Sequence, residues 1–393
     1  KKWRNFSVRT LWTLIMIGSF FLIMAAGHFW VVLMVIGIQT TVYKEVISIA
    51  HVPTKERKLP WFRSINWYFL MATNYFLYGE SLIQYFRQHM LVDAFLLPLA
   101  THHRFISFIV YMAGFVVFVA NLKKGHYVFQ FTQFAWTHMT LLLVVVQAHF
   151  IINNIFEGMF WFFISTALVI TNDIFAYICG FFWGRTPLIQ LSPKKTVEGF
   201  LGGWVCTMIW GVIFTEVLLR MPYMLCPAHD LTTSAWTFNR AACDLNPVFV
   251  PVPVHLGPWL SALLRRFFID VRYLNIAPIH WHVLFFACFA SFVAPFGGFF
   301  ASGLKRAFKI KDFGDSIPGH GGLTDRMDCQ FLMGNFVHIY YQSFIKISSL
   351  TVGAVLHTIV TGLTANDQLE LLQRLHTYLV SQEILEERGS IAI

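Results

Sequence analysis

The side chains best suited to chemistry are concentrated in one stretch, residues 302–328, which reads SGLKRAFKIKDFGDSIPGHGGLTDRMD. Basic residues come first, and carboxylates follow on both sides of a glycine run. The members of this cluster are Lys305, Arg306, Lys309, Lys311, Asp312, Asp315, Gly319, His320, Gly321, Gly322, Asp325, Arg326 and Asp328. Cations combined with glycines, which let backbone N–H groups approach a ligand closely, are typical of phosphate binding.

The carboxylates of this stretch predict a metal site beside the phosphate site. Magnesium takes one or two hard carboxylate ligands and leaves positions for substrate phosphate oxygens. Asp325 and Asp328 share one face if a helix begins here, and a helix N-terminus favours anions. The simpler alternative is a basic segment with a glycine turn that contacts lipid headgroups only. The carboxylates and glycines together favour the metal and phosphate site.

A second candidate is Asp173, in the apolar run LVITNDIFAYICGFFWGR, where Asn172 precedes it. An ionisable residue within a membrane span is costly and needs a compensating partner. Asp173 could accept hydrogen bonds from a neighbouring helix in a purely structural role. We predict instead that it is a metal ligand, brought close to the cluster at 302–328.

A third element begins at Arg185 and continues through Ser192-Pro193-Lys194-Lys195-Thr196 to Gly203. Either Ser192 or Thr196 could cap the following helix, and the two lysines beside its positive end would make an anion site. The alternative is that these lysines contact anionic headgroups only.

The elements that must position these residues are membrane-spanning helices. Of 393 residues, 56% are apolar and only 12% are charged, whereas soluble domains have about 25% charged residues. The apolar excess must therefore face lipid. The net charge of +9 could suggest nucleic acid, but the basic residues lie mostly in short loops between apolar stretches. We predict contacts with membrane lipids and no nucleic-acid binding.

The pattern predicts an all-α polytopic membrane protein with about nine transmembrane helices. The predicted spans are 9–27, 29–48, 66–86, 104–122, 128–150, 156–182, 199–219, 282–304 and 329–347. An interfacial amphipathic helix is predicted at 261–274, and a capped soluble one at 366–385. We expect one transmembrane catalytic domain over 1–347, with its chemistry at about 170–330, and a tail over 348–393.

Basic residues predict the orientation. Five basic groups, at the N-terminus and in alternate loops, fall on one side of the membrane, which the positive-inside rule makes cytoplasmic. Residues 220–281 then lie on the far side. Cys226 and Cys243 flank a polar loop there, and a disulfide between them is possible only if that side is an oxidising lumen.

The stretch 302–328 resembles the signature of CDP-diacylglycerol synthases (phosphatidate cytidylyltransferases), S-x-x-K-R-x4-K-D-x5-P-G-H-G-G-x-x-D-R-x-D, and matches it at every defining position. Residues 172–180 and 192–203 look like further segments of the same family, so the resemblance covers about 170–330. The residues within the signature and the long N-terminal half are more similar to the eukaryotic branch of the family than to the bacterial one.

The resemblance and the side-chain chemistry together define the expected site. We assign catalytic roles to Lys305, Arg306, Lys309, Asp312, His320 and Arg326. His320 could be a base, a phosphate donor or a loop-structural residue. We assign substrate phosphate binding to Arg185, Ser192, Lys194, Lys195, Thr196, Ser302, Lys311, Gly321 and Gly322. The expected metal ligands are Asp173, Asp312, Asp325 and Asp328.

The resemblance implies a magnesium-dependent nucleotidyltransferase that makes CDP-diacylglycerol and pyrophosphate from CTP and phosphatidate, with room for a second cation. It also implies an endoplasmic reticulum protein whose site faces the cytoplasm, and it suggests a homodimer. Two alternatives remain open: a CTP-dependent lipid kinase of the dolichol-kinase type, which would release CDP, and a non-enzymatic transporter or lipid-binding protein. The residues do not indicate an acyl-chain preference.

Overall fold

A computed structural model describes residues 2–56, 61–89, 99, 102–192, 195–228, 233–237, 243, 245–255, 273–317, 321–346 and 352–382. The N-terminal half is entirely helical where it is described. Its helices are α1 (Lys2–Ala26), α2 (His28–Glu56), α3 (Trp61–His89), α4 (His103–Ala120), α5 (Tyr127–Thr140), α6 (Gln147–Glu157) and α7 (Met159–Trp183). A π-helical segment, Leu141–Val146, joins α5 to α6 without a break.

The C-terminal half contains the helices that carry most of the predicted site. They are α8 (Val197–Leu219), α9 (Pro222–Leu225), α10 (Ile279–Phe292), α11 (Pro295–Ala307), α12 (Thr324–Tyr340), α13 (Val352–Gly362) and α14 (Ala365–Ser381). Strands β1 (Val252–His255) and β2 (Tyr273–Ile276) form an antiparallel pair, with Val252 opposite Ile276. The chain divides into two compact units, residues 1–344 and 345–393.

The long apolar helices confirm an α-helical polytopic membrane protein, but the predicted count of nine spans is not confirmed. Among the described residues, seven helical stretches are long and apolar enough to cross a membrane. The predicted span 66–86 and residues 329–340 of the predicted span 329–347 are helical within α3 and α12, but neither span is among these seven. Polar side chains account for the difference in the second of these spans, which contains Gln330, Asn335, His338 and Gln342.

Two of the turns between helices lie at one end of the bundle, here called the far end. Gly27, between α1 and α2, has φ +126°, and a Cβ there would lie 2.7 Å from the Thr233 carbonyl oxygen. Gly158, between α6 and α7, has φ +138° and lies against the carbonyls of residues 224–226. A disulfide joins Cys226 to Cys243 at this end, with their Cα atoms 6.0 Å apart.

Helices α7 and α8 pack closely through small residues, and this contact sets the position of Asp173. A Cβ added at Gly199 would lie 2.6 Å from the Ala176 carbonyl oxygen, and one at Gly203 would lie 3.0 Å from the Ala176 Cβ. Since only glycine leaves room for the two backbones, α8 lies directly against the segment of α7 that follows Asp173.

The predicted span 282–304 is not one continuous helix. It is divided into α10 and α11, which together are long and apolar enough to cross a membrane. Pro295 is in the first turn of α11, where its missing N–H costs nothing, whereas inside a helix it would break the hydrogen-bond ladder. A new helix begins after the break, and its glycines Gly297 and Gly298 face Asp328 of α12.

Two predictions outside the core of the bundle have different outcomes. The interfacial helix predicted at 261–274 lies mostly outside the described residues, but its last two positions are wrong, because Tyr273 and Leu274 belong to β2. The capped tail helix is confirmed as α14. Thr364 accepts a hydrogen bond from the Asp367 backbone N–H and the Asp367 carboxylate bonds back, which forms a capping box.

Candidate active site

Asp325 joins three parts of the predicted cluster at the start of α12. Its Oδ1 accepts a hydrogen bond from Lys305 Nζ of α11 at 2.5 Å, and its Oδ2 accepts one from the Phe313 backbone N–H at 3.1 Å. The Asp325 side chain is 9% exposed and that of Lys305 is 23% exposed. Both carboxylate oxygens therefore have partners within the protein, and a mostly buried ion pair ties α11 to α12.

The end of α11 turns the chain from Lys305 toward Asp312 by a Schellman motif. The Ile310 N–H donates to the Lys305 carbonyl and the Lys309 N–H donates to the Arg306 carbonyl. Lys309 takes the left-handed position with φ +54°, which glycine usually occupies. Such backbone strain in a non-glycine residue is concentrated at functional sites. The exposed side chain of Lys309 is consistent with its predicted role.

Asp173 and Asp328 come together although they lie far apart in the chain. Each carboxylate experiences the charge of Lys195, and Asp328 also experiences the charge of Asp173. Arg326 acts on Asp173 as well. Asp173 is almost three turns, about 15 Å, from the end of α7 at Trp183, so it lies in the middle part of an apolar helix. Its side chain is exposed, and that of Asp328 is partly buried.

A compact hairpin between α7 and α8 holds Lys195 near enough for its charge to act on both carboxylates. The Leu188 N–H donates to the Lys195 carbonyl, and Glu198 accepts hydrogen bonds from the Thr186 N–H and hydroxyl. The Lys195 ammonium also lies 4.8 Å from the centre of the Phe299 ring of α11, a cation–π distance. The hairpin thus aims a cation at the carboxylates.

The cap of α8 is Thr196, one of the two candidates considered. Its hydroxyl accepts a hydrogen bond from the Gly199 N–H at 3.2 Å. The Ser192 N–H instead donates to the Ile189 carbonyl within the hairpin. Thr196 therefore has a structural function at the helix terminus that Lys195 immediately precedes, and its role in substrate phosphate binding stays a prediction.

Glu45 of α2 is a component of the site that the sequence analysis missed. It is 6% exposed, and its carboxylate accepts hydrogen bonds from the Ser316 hydroxyl, the Leu323 N–H, and the N–H and hydroxyl of Thr324. The signal that could have found it is its position next to an apolar run, where a carboxylate is costly unless it is paired.

The glycine loop is closed by a short bridge, in which the Ile317 N–H donates to the Gly321 carbonyl at 3.0 Å. Gly321 has φ +83°, and a Cβ there would lie 3.2 Å from Asp312 Cγ. The predicted site residues His320 and Lys194 lie outside the described residues.

The remaining predicted residues differ in how accessible their side chains are. Those exposed are Asp173, Arg185, Arg306, Lys309, Lys311, Asp312 and Arg326, and those partly buried are Ser192, Lys195, Thr196, Ser302, Lys305, Gly321, Asp325 and Asp328, whereas Gly322 is buried. Their catalytic, phosphate-binding and metal roles stay predictions.

The donor set of Asp173 and Asp328 fits a hard divalent cation. The two carboxylates repel one another, and a metal held by both would remove that cost while leaving positions for phosphate oxygens. Within the described residues, no three His, Cys, Asp or Glu side chains gather as a complete metal-binding group. A site of two carboxylates completed by substrate is the pattern that magnesium commonly uses.

An apolar cavity of about 230 Å³ has Asp328 in its lining. Residues of α2, α5, α6, α11 and α12 and of the π-helical segment line it, together with Phe313. Its lining is apolar except for Thr140, Gln147, Thr324 and Asp328. The cavity therefore places hydrocarbon-compatible surface next to one of the two carboxylates.

Comparison with known proteins connects this site to a family. The model of the cytidylyltransferase family matches residues 7–344, which is most of the chain. The chain belongs to the cytidylyltransferase family. A Schizosaccharomyces pombe relative is 57% identical over 378 residues, covering 96% of this chain and 85% of its own length.

Two further relatives in the cytidylyltransferase comparison have specific names. The Saccharomyces cerevisiae phosphatidate cytidylyltransferase is 46% identical over 387 residues, covering 98% of this chain and 83% of its own length. The human phosphatidate cytidylyltransferase 1 is 45% identical over 385 residues, covering 98% of this chain and 81% of its own length. The family match includes α1 to α6, for which the sequence analysis found only apolar spans, and it therefore includes Glu45.

Proposed function

We propose that this chain transfers the cytidylyl group of CTP to phosphatidate, giving CDP-diacylglycerol and pyrophosphate for phospholipid synthesis. The observation that carries the proposal is the 46% identity, over 98% of the chain, to the yeast phosphatidate cytidylyltransferase. The site supports it, because cations and carboxylates gather beside an apolar cavity. A lipid kinase or a transporter is not favoured by these relatives.

In this reaction an oxygen of the phosphatidate phosphate attacks the α-phosphorus of CTP. The bond between the α-phosphorus and the bridging oxygen breaks, and pyrophosphate leaves with the bonding electrons. A phosphate monoester is already nucleophilic at neutral pH, so the protein must chiefly position two mutually repelling anions. Lys195 and Arg326, whose charges act on Asp173, would bind and orient phosphate oxygens.

We further propose that Asp173 and Asp328 hold magnesium. When bound there, magnesium would neutralise triphosphate charge and stabilise the leaving group. Asp325 and Lys305 hold α11 against α12 and keep Asp328 in place. Asp312 and a second cation stay as predictions of the sequence.

The identity of the released product tests the function. Purified protein in detergent receives CTP, phosphatidate and magnesium, and pyrophosphate and CDP are both measured. We expect pyrophosphate and CDP-diacylglycerol in equal amounts. Release of CDP with a phosphorylated lipid would support the kinase instead, and the absence of turnover would leave the transporter or lipid-binding protein.

Lys195→Ala should raise the KM for CTP or phosphatidate by about tenfold with a smaller effect on kcat, because a flexible lysine acts as a point charge that neighbouring cations partly replace. The measurement is steady-state kinetics with each substrate varied in turn. Lys124→Ala, an exposed lysine in the loop between α4 and α5, is the matched control. An unchanged KM for both substrates would show that Lys195 has a structural role only.

The apolar cavity is placed to receive an acyl chain of phosphatidate. Ala301 lines it and is 4% exposed. Ala301→Leu should lower kcat/KM for long-chain phosphatidate by about tenfold relative to a short-chain substrate, because it fills cavity volume that three or so methylene groups would occupy. Ala307→Leu, at the exposed end of the same helix, is the control. Equal effects on both chain lengths would contradict this assignment.

We propose that the protein lies in the endoplasmic reticulum membrane with the site facing the cytoplasm, where CTP is available. The Cys226–Cys243 disulfide supports this orientation, because it lies at the far end and an oxidising lumen would maintain it. A homodimer is also proposed, and the mass of the detergent-purified protein by light scattering would test it.

A further inference from the structure

We infer that Glu45 is a positioning residue for the cytidylyl transfer: it caps α12 from a distant helix and thereby holds Asp328 in its reactive position. The inference rests on the function proposed above. Glu45 belongs to the N-terminal part of the chain, about 280 residues before the aspartates that it would position. It does not itself touch the carboxylate pair, so its effect must be transmitted through α12.

The N-terminus of α12 lacks a cap of its own. The residue at the N-cap position is Leu323, whose side chain makes no capping hydrogen bond. The first backbone N–H groups of a helix need acceptors, which usually come from a serine, threonine, aspartate or asparagine at that position. Here Glu45 Oε1 accepts the Leu323 N–H at 3.0 Å, and Glu45 Oε2 accepts the Thr324 N–H at 2.8 Å.

A carboxylate is better suited to this cap than any neutral group. Each Glu45 oxygen accepts two hydrogen bonds, because the Ser316 hydroxyl donates to Oε1 and the Thr324 hydroxyl donates to Oε2 at 2.6 Å. The negative charge also interacts favourably with the positive end of the α12 dipole. An amide of the same shape would offer two of these four donors an NH₂ group instead of an acceptor.

The glycine loop is built around this carboxylate. A Cβ at Gly314 would lie 2.9 Å from Glu45 Oε1, and a Cβ at Gly322 would lie 3.0 Å from Glu45 Oε2. The glycines on either side of the loop therefore leave room for Glu45. This contact within the protein gives a reason for glycine at position 322, for which we predicted a role in phosphate binding.

The cap leads directly to the reacting groups. Thr324 is followed by Asp325, which holds Lys305 and the Phe313 N–H, and Asp328 lies one turn further along α12. A shift of the first turn would move all of these contacts together. Misplacement of catalytic groups by about 1 Å can cost a factor of about 100 in rate.

Glu45→Gln tests the inference, with Glu157→Gln as the matched control. Glu157 lies at the end of α6 and accepts hydrogen bonds from Tyr341 and Gln342 away from the site. For Glu45→Gln we expect kcat to fall by about 100-fold while the KM for CTP changes less than about threefold. Deuterium uptake of peptides covering 312–328 should rise in Glu45→Gln only, and Glu157→Gln should keep kcat within about twofold of the wild type.

Ser316→Ala provides a second test if Glu45→Gln does not fold. It removes one of the four donors at an exposed loop position, so folding should be unaffected and kcat should fall by several-fold. A Glu45→Gln or Ser316→Ala protein with wild-type kcat per folded molecule would overturn the inference. So would equal losses in Glu45→Gln and Glu157→Gln. Wild-type protein that releases no pyrophosphate would overturn the proposed function itself, and this inference with it.

Discussion

Asp328→Asn should lower kcat by at least about 1000-fold while the protein stays folded and inserted in the membrane. Asp328 lies beside Asp173 and under the influence of Lys195, next to the apolar cavity. Asparagine has nearly the same shape but supplies one neutral oxygen, so it should weaken a metal site that neutralises a triphosphate. The Cys329 N–H, which donates to Asp328 Oδ1, can still find an acceptor in the amide.

The measurement is the rate of pyrophosphate release by purified protein over a range of magnesium concentrations. Thermal unfolding of the same preparation shows whether the fold is intact. Asp367→Asn, which makes the same chemical change in the tail helix α14 outside the family match, is the control. Near-normal kcat for Asp328→Asn at ordinary magnesium concentration would contradict the assignment of Asp328 as a metal ligand.

Asp173→Asn should have the second largest effect, a loss of kcat by about 100-fold or more together with a raised magnesium requirement. Asp173 lies almost three turns inside α7, where a carboxylate is costly unless a cation compensates it. Lys195 and Arg326 compensate part of the charge, and a metal shared with Asp328 would compensate the rest.

The competing explanation for Asp173 is a structural carboxylate that only stabilises helix packing. In that case Asp173→Asn would chiefly lower the thermal unfolding temperature. The kcat of the protein that remains folded would depend on magnesium as in the wild type. Measuring both quantities on one preparation separates the two explanations. A bound cation more than about 8 Å from the Asp173 carboxylate in an experimental structure would also refute the metal role.

Local sequence patterns were sufficient to predict most helices and the membrane location. Apolar runs of about twenty residues predict spans because the bilayer core requires that length, and the predicted hairpin at Gly27 has a backbone conformation that glycine accepts at low cost. The tail helix was predictable for the same reason, since Thr364 and Asp367 form its cap within four residues. These features depend on neighbours in the chain. The break at Gly158 was not predicted, because it lies inside the predicted span 156–182.

The sequence also predicted the chemistry of the site, because cations, carboxylates and glycines occur together at 302–328 and Asp173 is a carboxylate in an apolar run. It could not distinguish the functions of individual carboxylates. Asp325 and Asp328 look equivalent at i and i+3, yet Asp325 is paired with Lys305, whereas Asp328 lies beside Asp173. The difference depends on which helix packs against each face of α12.

Only the tertiary structure shows which distant segments of the chain contact one another. The cap of α12 comes from Glu45 because Leu323 cannot supply it, and no local pattern links those residues. The cavity likewise exists only where α2, α11 and α12 meet. Hydrogen bonds within a helix are determined by spacing along the chain, so sequence predicts them. Contacts between helices depend on how whole faces pack, and that packing determined which polar groups form the site.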